Sequence, residues 1–311
     1  FKALETVATG NDNTAVGAYA LRLATGGNNV AMGYKSMDAN TTGVDNTAVG
    51  FDSLGANTTG DSNVAVGIYA LDANTTGDQN VAIGRHALGA NTTADNNIAI
   101  GQTALYVNTT GTRNTAIGVN ALDASDTEND NIAIGYQAMT VMNGGGQYNI
   151  AIGNYALDSL TSGNGSVGIG HNVLIAATTA SDNTAIGKAA MTTTTTGASN
   201  VGIGSEALRL NTTGATNTAV GSECLKNNTT AIDGCGVGHR ALANNTEGLG
   251  NVAMGRSTLE ETTTGNYNNA FGWKAGQNVT TGVNNVVVGQ SAGGAITTGG
   301  NNISIGKDSA R

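Results

Sequence analysis

The sequence predicts an all-β protein, a parallel β-solenoid of about eighteen 17-residue coils, on three observations. The phrase Asn-x-Ala-(Val/Ile)-Gly recurs from end to end, the residue before its glycine is always apolar, and an Ala-Asn-Thr-Thr-Gly segment typically completes the unit. We expect residues seventeen apart to stack in register at about 4.8 Å, which gives a rod of roughly 86 Å. The coils run from about residue 11 to residue 311, and we expect 1–311 to be a single repeat domain.

The repeated glycine, called here the corner glycine, defines the period. Its eighteen copies are separated by seventeen intervals, of which fifteen are 17 residues, one is 16 and one is 18. The corner glycines are Gly17, Gly33, Gly50, Gly67, Gly84, Gly101, Gly118, Gly135, Gly153, Gly170, Gly187, Gly204, Gly221, Gly238, Gly255, Gly272, Gly289 and Gly306. A unit this short is too small for a propeller blade or an ankyrin pair, and it suits one coil of a parallel β-roll.

Each coil divides into elements by its pattern. Triplets such as Val-Ala-Ile alternate large and small residues, the period-2 mark of a strand. After the corner glycine we expect a short strand that ends in Leu or Met four residues later, as at Leu21 and Met37, and then an Asn-Thr-Thr-Gly turn. The Val/Ile column before the glycine and the Leu/Met column are expected to face each other as a thin core. The asparagine four residues before the glycine is expected to form a ladder of stacked amides.

The alanine or glycine two residues before the corner glycine has two interpretations. We favour a face on which a neighbouring chain approaches closely; the alternative is that alanine fits a tight coil interior. A slim coil buries little apolar surface, so a lone chain would be marginally stable. We therefore expect a homotrimer, whose assembly would also shield the open sheet edges.

Composition excludes several protein classes. Gly is 47 of 311 residues without Pro, which excludes collagen, and 39% hydrophobic with 11% charged residues argues against disorder. A net charge of -9 disfavours nucleic acid as a partner. No apolar run approaches the ~18 residues of a membrane helix, so we expect no membrane insertion. Because the chain begins in the repeat without an initiator Met, we expect a fragment of a longer polypeptide.

The pattern breaks in three places, one of which is copies ten to fourteen, where Ser166, Gly168, Gly202 and Gly236 replace consensus residues. The 18-residue interval contains residues 142–146, Met-Asn-Gly-Gly-Gly, which predicts a loop or bulge. Near the C-terminal end the Leu column becomes Gly276, Gly293 and Ala310. We expect Phe271 and Trp273 to supply the bulk lost there and the cross-section to change.

Short segments of the repeat resemble known families. Residues 80–84 (Asn-Val-Ala-Ile-Gly), 131–135 and 285–292 resemble the head repeats of YadA-like trimeric adhesins. The longer unit around residues 114–122 is similar to repeats of phage tail-fibre proteins of the kind that carry an endosialidase-type chaperone domain. The resemblance implies a left-handed parallel β-roll that trimerises and serves in attachment or spacing. Adhesin heads have a shorter unit, so their ligand preferences are not carried over.

These features together predict a structural and attachment segment of a trimeric fibre, on a virion or at an extracellular cell surface. Its expected partners are its own copies and a host-cell or surface receptor. A bacterial cell-surface adhesin head is the alternative. No Gly-x-Ser-x-Gly, His-Glu-x-x-His or phosphate-loop signature occurs, so we expect no enzyme and no catalytic, cofactor-binding or metal-binding residues.

Four residue types need a separate interpretation. The three histidines, His86, His171 and His239, are expected to be solvated, with a three-fold His171 cluster on a trimer axis as the alternative. Cys224 and Cys235 are expected to be free thiols. Glycan-acceptor triplets are interpreted as turns and begin at Asn40, Asn57, Asn74, Asn91, Asn108 and Asn211. Stacked turn threonines leave ice binding as a third function; they are Thr41, Thr58, Thr75, Thr92 and Thr109.

Overall fold

The computed structural model describes residues 2–5 and 10–310, and within them the protein is all-β, with no helix. Eighteen parallel strands of three residues form a β-solenoid. The chain divides into two compact units, Phe1–Asn154 (unit 1) and Tyr155–Arg311 (unit 2). Each unit contributes nine strands.

The strands follow one another once per coil. Unit 1 contains β1 (Thr14–Val16), β2 (Val30–Met32), β3 (Thr47–Val49), β4 (Val64–Val66), β5 (Val81–Ile83), β6 (Ile98–Ile100), β7 (Thr115–Ile117), β8 (Ile132–Ile134) and β9 (Ile150–Ile152). Unit 2 contains β10 (Val167–Ile169), β11 (Thr184–Ile186), β12 (Val201–Ile203), β13 (Thr218–Val220), β14 (Cys235–Val237), β15 (Val252–Met254), β16 (Asn269–Phe271), β17 (Val286–Val288) and β18 (Ile303–Ile305).

Within each unit, successive strands pair in parallel and in strict register. Ile83 lies beside Ile100 in the ladder, so the expectation that residues seventeen apart stack is confirmed. The two irregular intervals keep the same register, because Thr14 pairs with Val30 and Ile132 with Ile150. The missing residue of the short interval and the extra residue of the long interval therefore fall outside the strands. In the long interval the extra residue lies in the predicted loop, where the carboxylate of the buried Glu128 accepts a hydrogen bond from the Gly145 amide at 3.0 Å.

Glycine is required at the coil corner by both conformation and space. Gly33 has φ +143°, and a Cβ there would lie 2.1 Å from the carbonyl oxygen of Gly50 in the next coil. Since L side chains rarely adopt this conformation and the contact is with backbone, no other residue fits. The corner glycines thus stack directly on one another.

The six residues after the corner are turns, so the predicted second strand is wrong. The Leu or Met of this segment has φ between 48° and 55° in all fifteen coils that carry it, which is left-handed rather than extended backbone. Its amide still bonds from coil to coil, as Leu71 donates to the Ala87 carbonyl at 3.0 Å. Alternating turn conformations fold this segment back over the strand and carry the large side chain inward.

The core has a different composition from the one expected. The central strand residue, usually alanine, is buried in seventeen of the eighteen strands, whereas both flanking residues are half-buried or exposed. The Val/Ile column therefore points outward, and the prediction that it forms the core with the Leu/Met column is wrong. Alanine faces leucine across a narrow interior, so the tight-coil interpretation is right and alanine is not a face for a neighbouring chain.

In the last coils, where the Leu column is lost, larger apolar residues at other buried positions fill the core. A Cβ on Gly293 would lie 2.9 Å from Cγ1 of Val287, which occupies the alanine position of its strand. Val279 and Ile296 are buried where earlier coils carry asparagine. Phe271 and Trp273 are 40% and 44% exposed, so the expectation that they supply the missing bulk is wrong.

Candidate functional surfaces

The outward strand columns form an apolar surface in each unit. They consist of the first and third residue of every strand, 36 positions in eighteen strands, and none of them is charged. On interior strands, Met32 is 44% exposed and Ile203 37% exposed. Such a row of aliphatic side chains is unusual on a surface that faces only water. We call this surface the outer strand face.

Two columns of asparagine hold the coils together from inside. In the first, four residues before the corner glycine, the side-chain oxygen accepts the backbone amide of the next copy, as Asn46 Oδ1 accepts from Asn63 N at 2.9 Å. The second column lies seven residues after the corner glycine, and its amides bond to each other, as Asn74 Nδ2 donates to Asn57 Oδ1 at 2.9 Å. The predicted amide ladder is confirmed, and the second column is one that sequence reasoning had interpreted only as turn residues.

The glycan-acceptor asparagines belong to this second column. All of them are fully buried; they are Asn40, Asn57, Asn74, Asn91, Asn108 and Asn211. Their amide nitrogens are engaged, since Asn91 Nδ2 donates to both Asn74 Oδ1 and the Ala94 carbonyl. A buried, bonded amide in the folded chain is not accessible to a glycosyl donor. They stabilise the turn, as predicted.

The two threonines of each turn differ in role. The first is half-buried and donates its hydroxyl to the next coil, as Thr41 Oγ1 donates to the Thr58 carbonyl at 2.8 Å. The predicted stack of these residues is confirmed in unit 1. The second threonine is exposed, and Thr42, Thr59 and Thr76 place one hydroxyl per coil on the surface.

The two cysteines are free thiols, as expected. Cys224 is buried, and burial raises the pKa of its thiol to about 12. Cys235 is half-exposed because it occupies the first, outward position of β14. The alanine position of that strand is Gly236, where a Cβ would lie 2.5 Å from Cys224 Sγ.

Aromatic side chains form a continuous row in unit 1, which we call the ring ladder. Six successive coils each contribute one ring, and neighbouring centroids lie 5.1–5.8 Å apart. The members are Tyr19, Tyr34, Phe51, Tyr69, His86 and Tyr106. Sequence reasoning missed this row because its rings occupy different positions of the repeat. Superposing the coils by their corner glycines would have revealed it.

Charged groups surround the ring ladder. Arg22 Nε donates to Asp38 Oδ1 at 2.8 Å, and the Lys35 ammonium lies 5.9 Å from the centroid of the Tyr34 ring. Desolvation by burial raises the pKa of Asp52 and of Asp72 above the usual value. A cavity of about 260 Å³ lies at one end of the ladder and is lined by Tyr19, Arg22, Tyr34, Lys35 and Asp38.

The histidines do not come together. His86 is half-buried between the rings of Tyr69 and Tyr106, so the expectation of a solvated side chain is wrong for this residue. His171 and His239 are exposed, as predicted, and the His171 ring has an edge contact with Tyr155 at 6.2 Å.

Unit 2 carries a network of ion pairs. Lys226 Nζ lies 2.7 Å from Glu206, and Arg240 Nη2 lies 2.8 Å from the buried Glu260. Hydrogen bonding to Lys226 holds the pKa of Glu206 below its usual value. These charges are mutually paired and stabilise the turns that carry them.

Neither a metal site nor a membrane span is found where the structure is described. Within residues 2–5 and 10–310, no three His, Cys, Asp or Glu side chains are grouped to hold a metal ion. Over the same residues, no helix has the length and hydropathy needed to cross a bilayer.

Comparisons with family models, with curated proteins and with solved structures give no significant match.

Proposed function

We propose that this chain is a structural and attachment segment of a homotrimeric fibre, of the phage tail-fibre kind, displayed on a virion. The observation that carries the proposal is the outer strand face, where none of the 36 outward positions is charged. Exposed aliphatic columns on a sheet are a surface for association. Because the columns are continuous within each unit, the partner must also be regular along its length, and a second copy of the chain satisfies that condition.

The size of the outer strand face suits a stable interface. Three residues of about 3.3 Å across nine strands of about 4.8 Å give about 430 Å² in each unit. The two units of a chain together supply about 860 Å², against the ~800 Å² that each partner contributes to a standard protein interface, and in a trimer each chain divides this area between its two neighbours. The trimeric state itself comes from the resemblance to adhesin and tail-fibre repeats.

Sedimentation equilibrium tests this assembly. The expected mass is three times the 30.8 kDa of one chain. Ile134→Glu, on the outer strand face of β8, should lower the mass towards one chain, because the interface would bury an unpaired charge. Thr127→Glu, at an exposed turn position, is the matched control and should leave the mass unchanged. A wild-type mass of one chain at every concentration would contradict the proposal.

Ice binding is the second candidate, and the exposed second threonine of the turn is the observation that favours it. Thr42, Thr59 and Thr76 repeat once per coil, in register. The column is a single one, at a turn, and the neighbouring Thr41 column has its hydroxyls bonded to the next coil. Thermal hysteresis measured on the purified chain decides this: activity lost in Thr59→Val would favour ice binding, and no hysteresis would exclude it.

A further inference from the structure

The ring ladder is an addition to the repeat that folding does not require. Five of the twelve Phe, Trp and Tyr residues of the chain lie in this row. Tyr34 and Phe51 occupy the position after the corner glycine, where other coils carry Ala18 and Gln102. Both rings are about two-fifths exposed, at 42% and 41%. Large apolar rings at tolerant, exposed positions indicate a binding surface.

The orientation of the rings leaves ring faces open. Tyr34 and Phe51 are nearly parallel, at 17°, and so are Tyr69 and His86, at 13°. The two pairs are turned by 77° relative to each other where Phe51 meets Tyr69. Because the two pairs are nearly perpendicular, only one of them can stack its ring faces on neighbouring rings along the row. The ring faces of at least one pair therefore point away from the direction of the row.

The shape of the surface favours a linear ligand. Six coils at about 4.8 Å give a strip about 29 Å long and one side chain wide. Such a strip is far smaller than the ~800 Å² that each partner contributes to a protein interface. One ring per coil offers a repeated contact, which suits a polymer of repeated units.

The polar groups around the ladder favour an uncharged ligand. Within the six-residue segments that follow the corner glycines and carry the rings there are three cations and three carboxylates; they are Arg22, Lys35, Arg85, Asp38, Asp52 and Asp72. Carboxylates accept hydrogen bonds, and Arg and Lys donate them. Their charges balance, so a strongly acidic or basic polymer gains no net attraction. A chain rich in hydroxyl groups can use both kinds of partner.

We infer that the ring ladder binds a neutral polysaccharide that lies along the coils of unit 1. The C–H face of a hexose packs on an aromatic ring, and its hydroxyls reach the flanking carboxylates and cations. The cavity of about 260 Å³ beside Tyr19 and Tyr34 would hold the end of the chain or a branch. The inference rests on the proposed attachment role and names its ligand class.

A glycan array of neutral glucose, galactose, mannose and N-acetylhexosamine oligomers, followed by affinity electrophoresis in the polysaccharide that binds, tests the inference. The double variant Tyr34→Ala/Phe51→Ala should weaken binding at least tenfold, because it removes two adjacent rings. Tyr148→Ala is the matched control, since Tyr148 is a 63% exposed aromatic outside the ladder. It should bind like the wild type.

Sedimentation of the same proteins separates this inference from the fibre proposal. Loss of binding in the double variant with an unchanged mass supports the ladder as the site. A wild-type chain that binds glycan as a monomer supports the ladder and contradicts only the fibre. Absence of binding to every neutral glycan, or equal binding by the double variant and the wild type, would overturn the inference.

Discussion

At the scale of single residues, the turn asparagine combines several tasks in one buried amide. Asn74 Nδ2 donates to Asn57 Oδ1 and to the Gly77 carbonyl, while its own Oδ1 accepts from Asn91. Each side-chain amide thereby forms hydrogen bonds with the asparagines of the preceding and the following coil. Where the column ends the cost is visible, because Asn108 Oδ1 is buried without a partner and Ser125 follows in the next coil.

Asn74→Ala should lower the free energy of unfolding by about 2–3 kcal/mol, because a buried acceptor left without its donor keeps its desolvation penalty. The orphaned groups are Asn57 Oδ1 and the Asn91 Nδ2 hydrogen that Asn74 Oδ1 had accepted; the Gly77 carbonyl still accepts from Asn63 Nδ2 at 2.8 Å. Urea unfolding measures the loss. Thr76→Ala, at an exposed position of the same turn, is the control and should change stability by less than about 0.5 kcal/mol. Equal losses in the two variants would contradict the ladder.

Deprotonation of the Cys224 thiol should lower the free energy of unfolding at high pH. Burial raises its folded pKa from 9.0 to about 12, so the neutral thiol stabilises the fold below pH 9 and this contribution is lost as pH rises towards 12. Urea midpoints between pH 7 and pH 11 should fall more steeply for the wild type than for Cys224→Ala. Alanine fits this position, as Ala207 and Ala241 show in the adjacent coils. Parallel curves for the two proteins would contradict this assignment.

At the scale of one coil, the strand and the corner could be predicted, but the direction of the side chains could not. The triplet ending at Ile83 shows two faces by alternation, yet alternation does not say which face is inside. The deciding feature is the left-handed backbone at Leu71 and its copies, which carries a large side chain inward and leaves room only for alanine opposite. Such a conformation at leucine opposes its intrinsic preference, so no local pattern indicates it.

Core volumes within a coil are also matched across its two sides. Gly168 replaces alanine where a Cβ would lie 2.7 Å from Cγ1 of Val173, itself a replacement for alanine. The same exchange links Gly236 to Cys224 of the preceding coil. Gly168 and Gly236 therefore compensate for a larger neighbour.

Gly236→Ala tests this compensation in a double-mutant cycle with Cys224→Ala. In the wild-type background the added Cβ would lie 2.5 Å from Cys224 Sγ, so we expect a loss of about 1–3 kcal/mol. In the Cys224→Ala background the same change should be neutral or stabilising, since alanine is the usual residue at both positions. Urea unfolding of the four proteins gives the coupling energy. Additive effects would show that the two positions do not share the space.

At the scale of the whole molecule, stacking within each unit was predictable because the period is visible in the sequence, while the exposed surfaces were not. The outer strand face became apparent only once alanine was placed inside, which moved the Val/Ile column out. The ring ladder combines residues from different positions of the repeat, among them Tyr34, Tyr69 and Tyr106. A consensus sequence of the repeat does not show them, because no single position carries a ring in all six coils.

The central claim, that copies of the chain meet on the outer strand face, is tested most directly by the reactivity of Cys235. This half-exposed thiol lies on that face, whereas Cys224 is buried. Maleimide labelling of Cys224→Ala is followed as the chain concentration is raised, and Cys224→Ala/Cys235→Val/Thr230→Cys, whose single thiol is at an exposed turn, is the reference. Cys235 should react readily in dilute solution and become protected as the chains assemble, while the turn thiol reacts throughout. A labelling rate for Cys235 that stays constant while the mass rises would contradict the account.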